Sequence, residues 1–135
     1  MANAVVRWTG DRTFIGTDSG NHSVTMGSVN KEMIGMKASE LLLVALGGCS
    51  SYDVVGILEK RKVKLSKLEV HAKAEQESDP PWTFRKIHLK YVLAGEGLTK
   101  EMAEKAVELS EGKYCSVAAT VRGKADITWE VVVEE

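Results

Sequence analysis

The chain has 135 residues, a size that fits a single domain over residues 1–135 with a core of its own. A formal net charge of −1 with 27% charged residues gives no basic field for nucleic acid and no polybasic patch for a membrane. Aromatic residues at 6% are too few for base-stacking platforms, and the opening Met-Ala-Asn-Ala-Val-Val-Arg-Trp holds no apolar run of signal-peptide length, so a cytoplasmic protein is expected.

Residues 3–9 and 13–17 are β-rich and flank Gly10-Asp11-Arg12, a hairpin signal. Asp18-Ser19-Gly20-Asn21 is a second turn cluster leading into residues 22–26. This predicts three short antiparallel strands, then a loop over residues 27–38. Ser39 is placed to cap a helix, and Glu40 in its first turn suits the helix dipole.

That helix, over residues 39–60, organises the rest. Leu41, Leu42, Leu43, Val44, Ala45 and Leu46 make its first half apolar on every side, and a helix apolar all round is buried all round. Its length of about 20 residues would cross a bilayer. Glu40, Asp53, Glu59, Lys60 and the Gly47-Gly48 pair leave an uncharged apolar core of about half that length, which reads as a central helix instead. Each helical glycine costs about 1 kcal/mol relative to alanine. The pair therefore predicts close approach by another backbone or a ligand, directly beside Cys49.

After a polar exit at 61–64, residues 68–75 alternate apolar and polar with period two. Asp79-Pro80-Pro81 breaks the run, and residues 82–93 alternate again with a slip at Arg85-Lys86 that predicts a bulge. An extended hairpin is expected, closed by Gly95-Glu96-Gly97. Leu98-Thr99-Lys100-Glu101 has the spacing of a capping start, and Met102, Ala103, Ala106, Val107 and Leu109 form a helical stripe. Gly112 is expected as its left-handed cap, residues 113–120 as a short helical turn, and 125–133 as a closing strand. The order β-β-β-α-β-β-α-β predicts an α+β fold, mostly antiparallel sheets around a long buried helix. Either the sheet wraps that helix or a second copy covers it; a homodimer in which two such helices pack together through an obligate, core-like interface is the favoured expectation.

Two cysteines make no disulfide framework, and each by itself reads as a small buried hydrophobe. His22, His71 and His88 are scattered, with no Cys-x-x-Cys, His-x-x-x-His or paired-carboxylate spacing, so neither a metal nor a cofactor is expected. A mid-helix Cys49 gains little from the helix dipole, so any lowering of its pKa has to come from tertiary neighbours. Asp53, four residues on along the same face, pushes the wrong way if ionised and close.

The block Glu40-Leu41, Gly47-Gly48-Cys49-Ser50, the long hairpin, and Lys113-Tyr114-Cys115-Ser116 after a helix resemble the OsmC/Ohr family through essentially the whole chain. Within it the sequence is most similar to the YhfA-like branch. The resemblance implies an intertwined α+β homodimer with two active sites at the subunit interface. It implies that Cys49 is a peroxidatic thiolate attacking an organic hydroperoxide and that Cys115 resolves the sulfenic acid as a disulfide. A dithiol such as a lipoylated protein would then reduce that disulfide. Peroxidase-active members hold an N-terminal-strand arginine with a glutamate at the start of the central helix. Here the glutamate position falls on Ser39, with Glu40 next to it, and the arginine position falls near Phe14, with Arg12 the nearest candidate. Arg12 also reads as a hairpin-turn charge, and Glu40 as a first-turn carboxylate. Leu42, Leu46 and Tyr52 are candidates for an apolar pocket that prefers organic peroxide. The departure from the arginine–glutamate pair keeps an alternative open: a redox-sensing protein, or a binder of a small apolar ligand.

Overall fold

Left-handed backbone at Gly10 and Asp11 (φ 107° and 48°) turns the chain back on itself between β1 (Ala4–Gly10) and β2 (Arg12–Asp18). The structure is a computed structural model and describes residues 2–135. The next turn is held by Asp18, whose Oδ1 accepts from the N–H of Gly20 (2.9 Å) and of His22 (2.8 Å). It delivers β3 (Ser23–Val29) antiparallel to β2, with Phe14 opposite both Trp8 and Met26. Gly27 has φ +103°, and a Cβ there would collide with the Arg12 carbonyl, so glycine is required. A fourth strand, β4 (Glu32–Met33), lies where the sequence predicts loop. Asn30 and Lys31 both take positive φ, the backbone of a tight two-residue hairpin turn. The glycine usual in such a turn is missing, so the sequence gives no sign of it.

The chain divides into two units, the first through Leu43 and the second from Val44, with the division inside α1 (Ala38–Lys60). The first unit carries the sheet β1-β2-β3-β4. Ser39 lies inside the first turn of α1 rather than capping it, since the Lys37 carbonyl already accepts from Leu41 N–H.

α1 is long and apolar enough to cross a membrane. Its buried residues are Leu46, Ser50, Val54 and Leu58, one stripe repeating every four residues. Val44, Tyr52 and Val55 are exposed, and a Cβ added at Gly48 would meet nothing within 4 Å. At Gly47 it would meet the Val70 side chain at an ordinary 3.7 Å. The expected all-round burial is thus not met at these positions, and among the described residues no backbone outside the helix comes within 4 Å of a Cβ at either glycine.

In the second unit, β5 (Lys64–Gln76) and β6 (Phe84–Glu96) form the extended hairpin. The bulge falls where Gln76 pairs Phe84 and skips Arg85, at the slip read from the sequence. β7 (Asp126–Glu134) closes the sheet parallel to β6, giving the order β5-β6-β7. Ile87, Leu89, Tyr91 and Leu93 of the central strand are fully buried, every second residue pointing into the core. Thr99 caps α2 (Lys100–Leu109) by accepting from Met102 N–H at 3.1 Å. Gly112 does not end that helix, nor is it left-handed. The chain continues through a π-helical turn, Ser110–Tyr114, closed by Cys115 N–H donating to Ser110 C=O (2.8 Å), and then enters α3 (Ser116–Val121).

Candidate active site

The π-helical turn sets where Cys115 lands. It becomes the N-cap of α3, its Sγ accepting from Ala118 N–H at 3.3 Å. There it meets α1: Sγ of Cys49, Sγ of Cys115 and a carboxylate oxygen of Asp53 all lie within 4.8 Å of one another. Cys49 Sγ also lies 3.9 Å from Ser116 Oγ. Cys49 is half-buried and Cys115 is 2% exposed.

The two thiols differ electrostatically. Burial pushes Cys49 up, but the Val117 N–H, the Cys115 thiol and the hydroxyl and N–H of Ser116 stabilise its thiolate, and the net shift is downward. These are the tertiary neighbours that a mid-helix cysteine needs. Burial raises Cys115 to about 11, against the pull of the Ala118 N–H, and the neighbouring Cys49 adds to the rise. The thiolate is therefore easier to form on Cys49 than on Cys115.

Beneath the thiols runs a buried hydroxyl chain. Asp53 Oδ2 accepts from Ser110 Oγ–H (2.9 Å), Ser110 Oγ lies 3.1 Å from Ser50 Oγ, and Ser50 Oγ lies 2.5 Å from Tyr91 OH. Tyr91 OH is in turn 3.1 Å from Glu111 Oε1. The end hydroxyls donate outward, Ser110 to Asp53 and Tyr91 to Glu111, so the single Ser50 hydrogen serves one of its two neighbours at a time. Burial raises the Glu111 pKa, against the Tyr91 hydroxyl and the Arg122 charge. Tyr91 is also raised, chiefly by burial. Arg122 donates to the Glu111 carbonyl and stands 3.7 Å from its carboxylate.

A family model described as OsmC-like protein matches residues 29–130. The chain belongs to the OsmC-like family. It is 35% identical over 131 residues to Protein YhfA of Escherichia coli strain K12, covering 96% of this chain and 97% of that one. A hypothetical protein from Aquifex aeolicus VF5 superposes with a TM-score of 0.84 at 31% identity, over 100% of this chain and 98% of that chain. The organic hydroperoxide resistance protein OhrB of Bacillus subtilis, at 16% identity, shares the fold with a TM-score of 0.64 over 98% of both chains.

Of the residues singled out in the sequence, the OsmC-like fold brings Cys49 and Cys115 together. Arg12 is exposed at the turn end of β2, opposite Ser28, and Ser39 and Glu40 are exposed in the first turn of α1. Leu42 is partly exposed. Leu46 is fully buried core, while Tyr52, 85% exposed, borders a shallow groove with Gly48, Ser51, Val55, Gly56 and Glu59. Sequence reasoning misses Ser50, Tyr91, Ser110 and Glu111. A serine in register with Leu46 and Val54 on an apolar helix is the signal that points to the chain, because a buried hydroxyl needs partners.

Proposed function

We propose that this OsmC-like protein reduces organic hydroperoxides in the cytoplasm through Cys49 and Cys115. The observation that carries the reading is a pair of thiols within 4.8 Å of each other whose pKa values are shifted in opposite directions, Cys49 down and Cys115 up. The Cys49 thiolate attacks the distal peroxide oxygen; an S–O bond forms, the O–O bond breaks, and the alkoxide leaves as alcohol with the proton Cys49 had released. The Cys115 sulfur then displaces hydroxide from the sulfenic acid, its own proton completing a water molecule, and a disulfide results. An external dithiol, of which a lipoyl group is one chemical type, restores both thiols by exchange. A homodimer is part of this reading, with the second copy covering the open side of α1 at Val44, Gly48, Tyr52 and Val55.

The test is a free-thiol count on reduced protein before and after one equivalent of cumene hydroperoxide, with hydrogen peroxide in parallel. Prompt loss of both thiols, faster with the organic peroxide, is expected. Cys49→Ser should abolish it, and Cys115→Ser should stop at a trappable sulfenic acid. Full turnover in Cys49→Ser, or survival of both thiols in excess peroxide, would overturn the assignment.

A second reading, a redox-sensing or apolar-ligand-binding protein, is favoured by one observation. The arginine beside the hydroxyl chain, Arg122, is engaged by Glu111 rather than by Cys49. Thiol titration separates the two: a Cys49 pKa near the unperturbed value of about 8.5 supports the binder.

A further inference from the structure

No metal-ligand spacing exists in the sequence, yet the fold assembles a donor set. Cys49 and Asp53 are one helical turn apart on α1, and the π-helical turn adds Cys115 from the other side. The three donor atoms lie within 4.8 Å of one another. Two sulfurs and a carboxylate suit a soft or borderline divalent cation over a hard one. Zinc–sulfur bonds of about 2.3 Å at tetrahedral angles place two sulfurs about 3.8 Å apart. Closing a separation of at most 4.8 Å to that value is within the reach of side-chain rotation.

The surroundings also resemble a supported metal site. Asp53 is oriented by Ser110, which donates to its Oδ2, and Cys115 by the Ala118 N–H on its Sγ. Such outer contacts fix the direction in which ligands point. Three protein ligands leave a fourth position to water, and Cys49 and Asp53 are each only half-buried.

We propose that the reduced dithiol, together with Asp53, binds one zinc-like divalent cation per chain. Two S–H bonds break, two S–metal bonds form, and two protons pass to solvent. The bound form withholds both sulfurs from peroxide. An organic hydroperoxide reacts instead with the metal-free dithiol, taking its two electrons and two protons to become alcohol and water, and the disulfide that forms no longer binds the cation. Only this last consequence rests on the peroxidase reading; the binding itself does not.

The experiment uses full-length protein, reduced and freed of reductant under anaerobic conditions, titrated with Co²⁺ and then competed with Zn²⁺. Expected are one cobalt per chain, thiolate-to-cobalt charge-transfer absorption displaced by zinc, and loss of that absorption in the disulfide form and in Cys115→Ser. Asp53→Asn, which keeps an acceptor for Ser110, should weaken binding at least about tenfold. Absence of the thiolate band in the reduced protein would overturn the proposal. So would Asp53→Asn binding as tightly as the parent, which would leave a bare dithiol. No peroxide is present, so failure here leaves the thiol-count result standing, and failure there leaves this one standing.

Discussion

The two units handle their apolar residues in opposite ways. In the second, Leu46, Val54, Leu58, Ile87, Leu89, Leu93, Ala103, Ala106 and Val107 are buried, and the polar groups among them are paired. In the first, Val5, Val6, Trp8, Phe14 and Ile15 are exposed on β1 and β2, Trp8 by 69%, while Thr13 is buried. A sheet needs a packed face to be stable. The second unit has the core that a folded chain requires, whereas the first presents apolar surface of the kind that marks an interaction site. Both units leave apolar residues open, the second at Val44, Tyr52 and Val55 of α1, but the second also closes a core around its central strand.

Substitution in the denser unit should have the largest effect. Leu89→Ala removes a fully buried side chain from the central strand and should cost about 2–5 kcal/mol, read as a fall in the urea midpoint. Val6→Ala, on the exposed sheet, should stay within about 0.5 kcal/mol in the same measurement under monomeric conditions. Equal losses would erase the contrast.

The proposed second copy should cover the exposed sheet as well as the open side of α1. Phe14→Asp puts a charge opposite both Trp8 and Met26 and should weaken self-association by about 2–4 kcal/mol, read by sedimentation velocity across concentration. A parent protein that stays monomeric at micromolar concentration would end the dimer reading.

Next in size is Ser50→Ala. It leaves Tyr91 and Ser110 without a shared partner in the core and should cost about 1–3 kcal/mol in urea unfolding. No loss of stability would mean that the hydroxyl chain contributes nothing to the fold.

Legibility in the sequence follows the same division between local and long-range causes. The β1–β2 hairpin, the period-two runs of β5 and β6, the skipped Arg85 and the Thr99 cap each depend on a few neighbouring residues, and each is readable. β4 is hidden because Asn30 and Lys31 form a tight turn without glycine. The parallel pairing of β7 depends on a crossover through α2 and α3, which no local pattern encodes. The Cys49 and Cys115 motifs are visible as matching contexts. Asp53 reads in sequence only as an unfavourable charge, because its hydrogen bond to Ser110 arises from the π-helical turn that replaces the expected Gly112 cap. Two open positions on α1, Gly48 and Tyr52, look buried in sequence because composition records apolarity and not the number of chains available to cover it.

The smallest effect expected is also the most specific to the second unit's core. Glu111 is buried and its pKa is raised by that burial, so the folded state holds a proton over a range where the unfolded chain has lost it. Folding is then penalised by the ionised carboxylate above its folded pKa, and the penalty fades as pH falls through that value. Glu111→Gln keeps the shape and an acceptor for the Tyr91 hydroxyl, and it cannot ionise. The variant should therefore be more stable than the parent at mildly alkaline pH, with the difference shrinking toward acid. Paired urea midpoints at several pH values read it directly. A difference that grows toward acid would mean that the ionised carboxylate is the favoured form, held by Arg122, and that the hydroxyl chain is ordered from the Asp53 end.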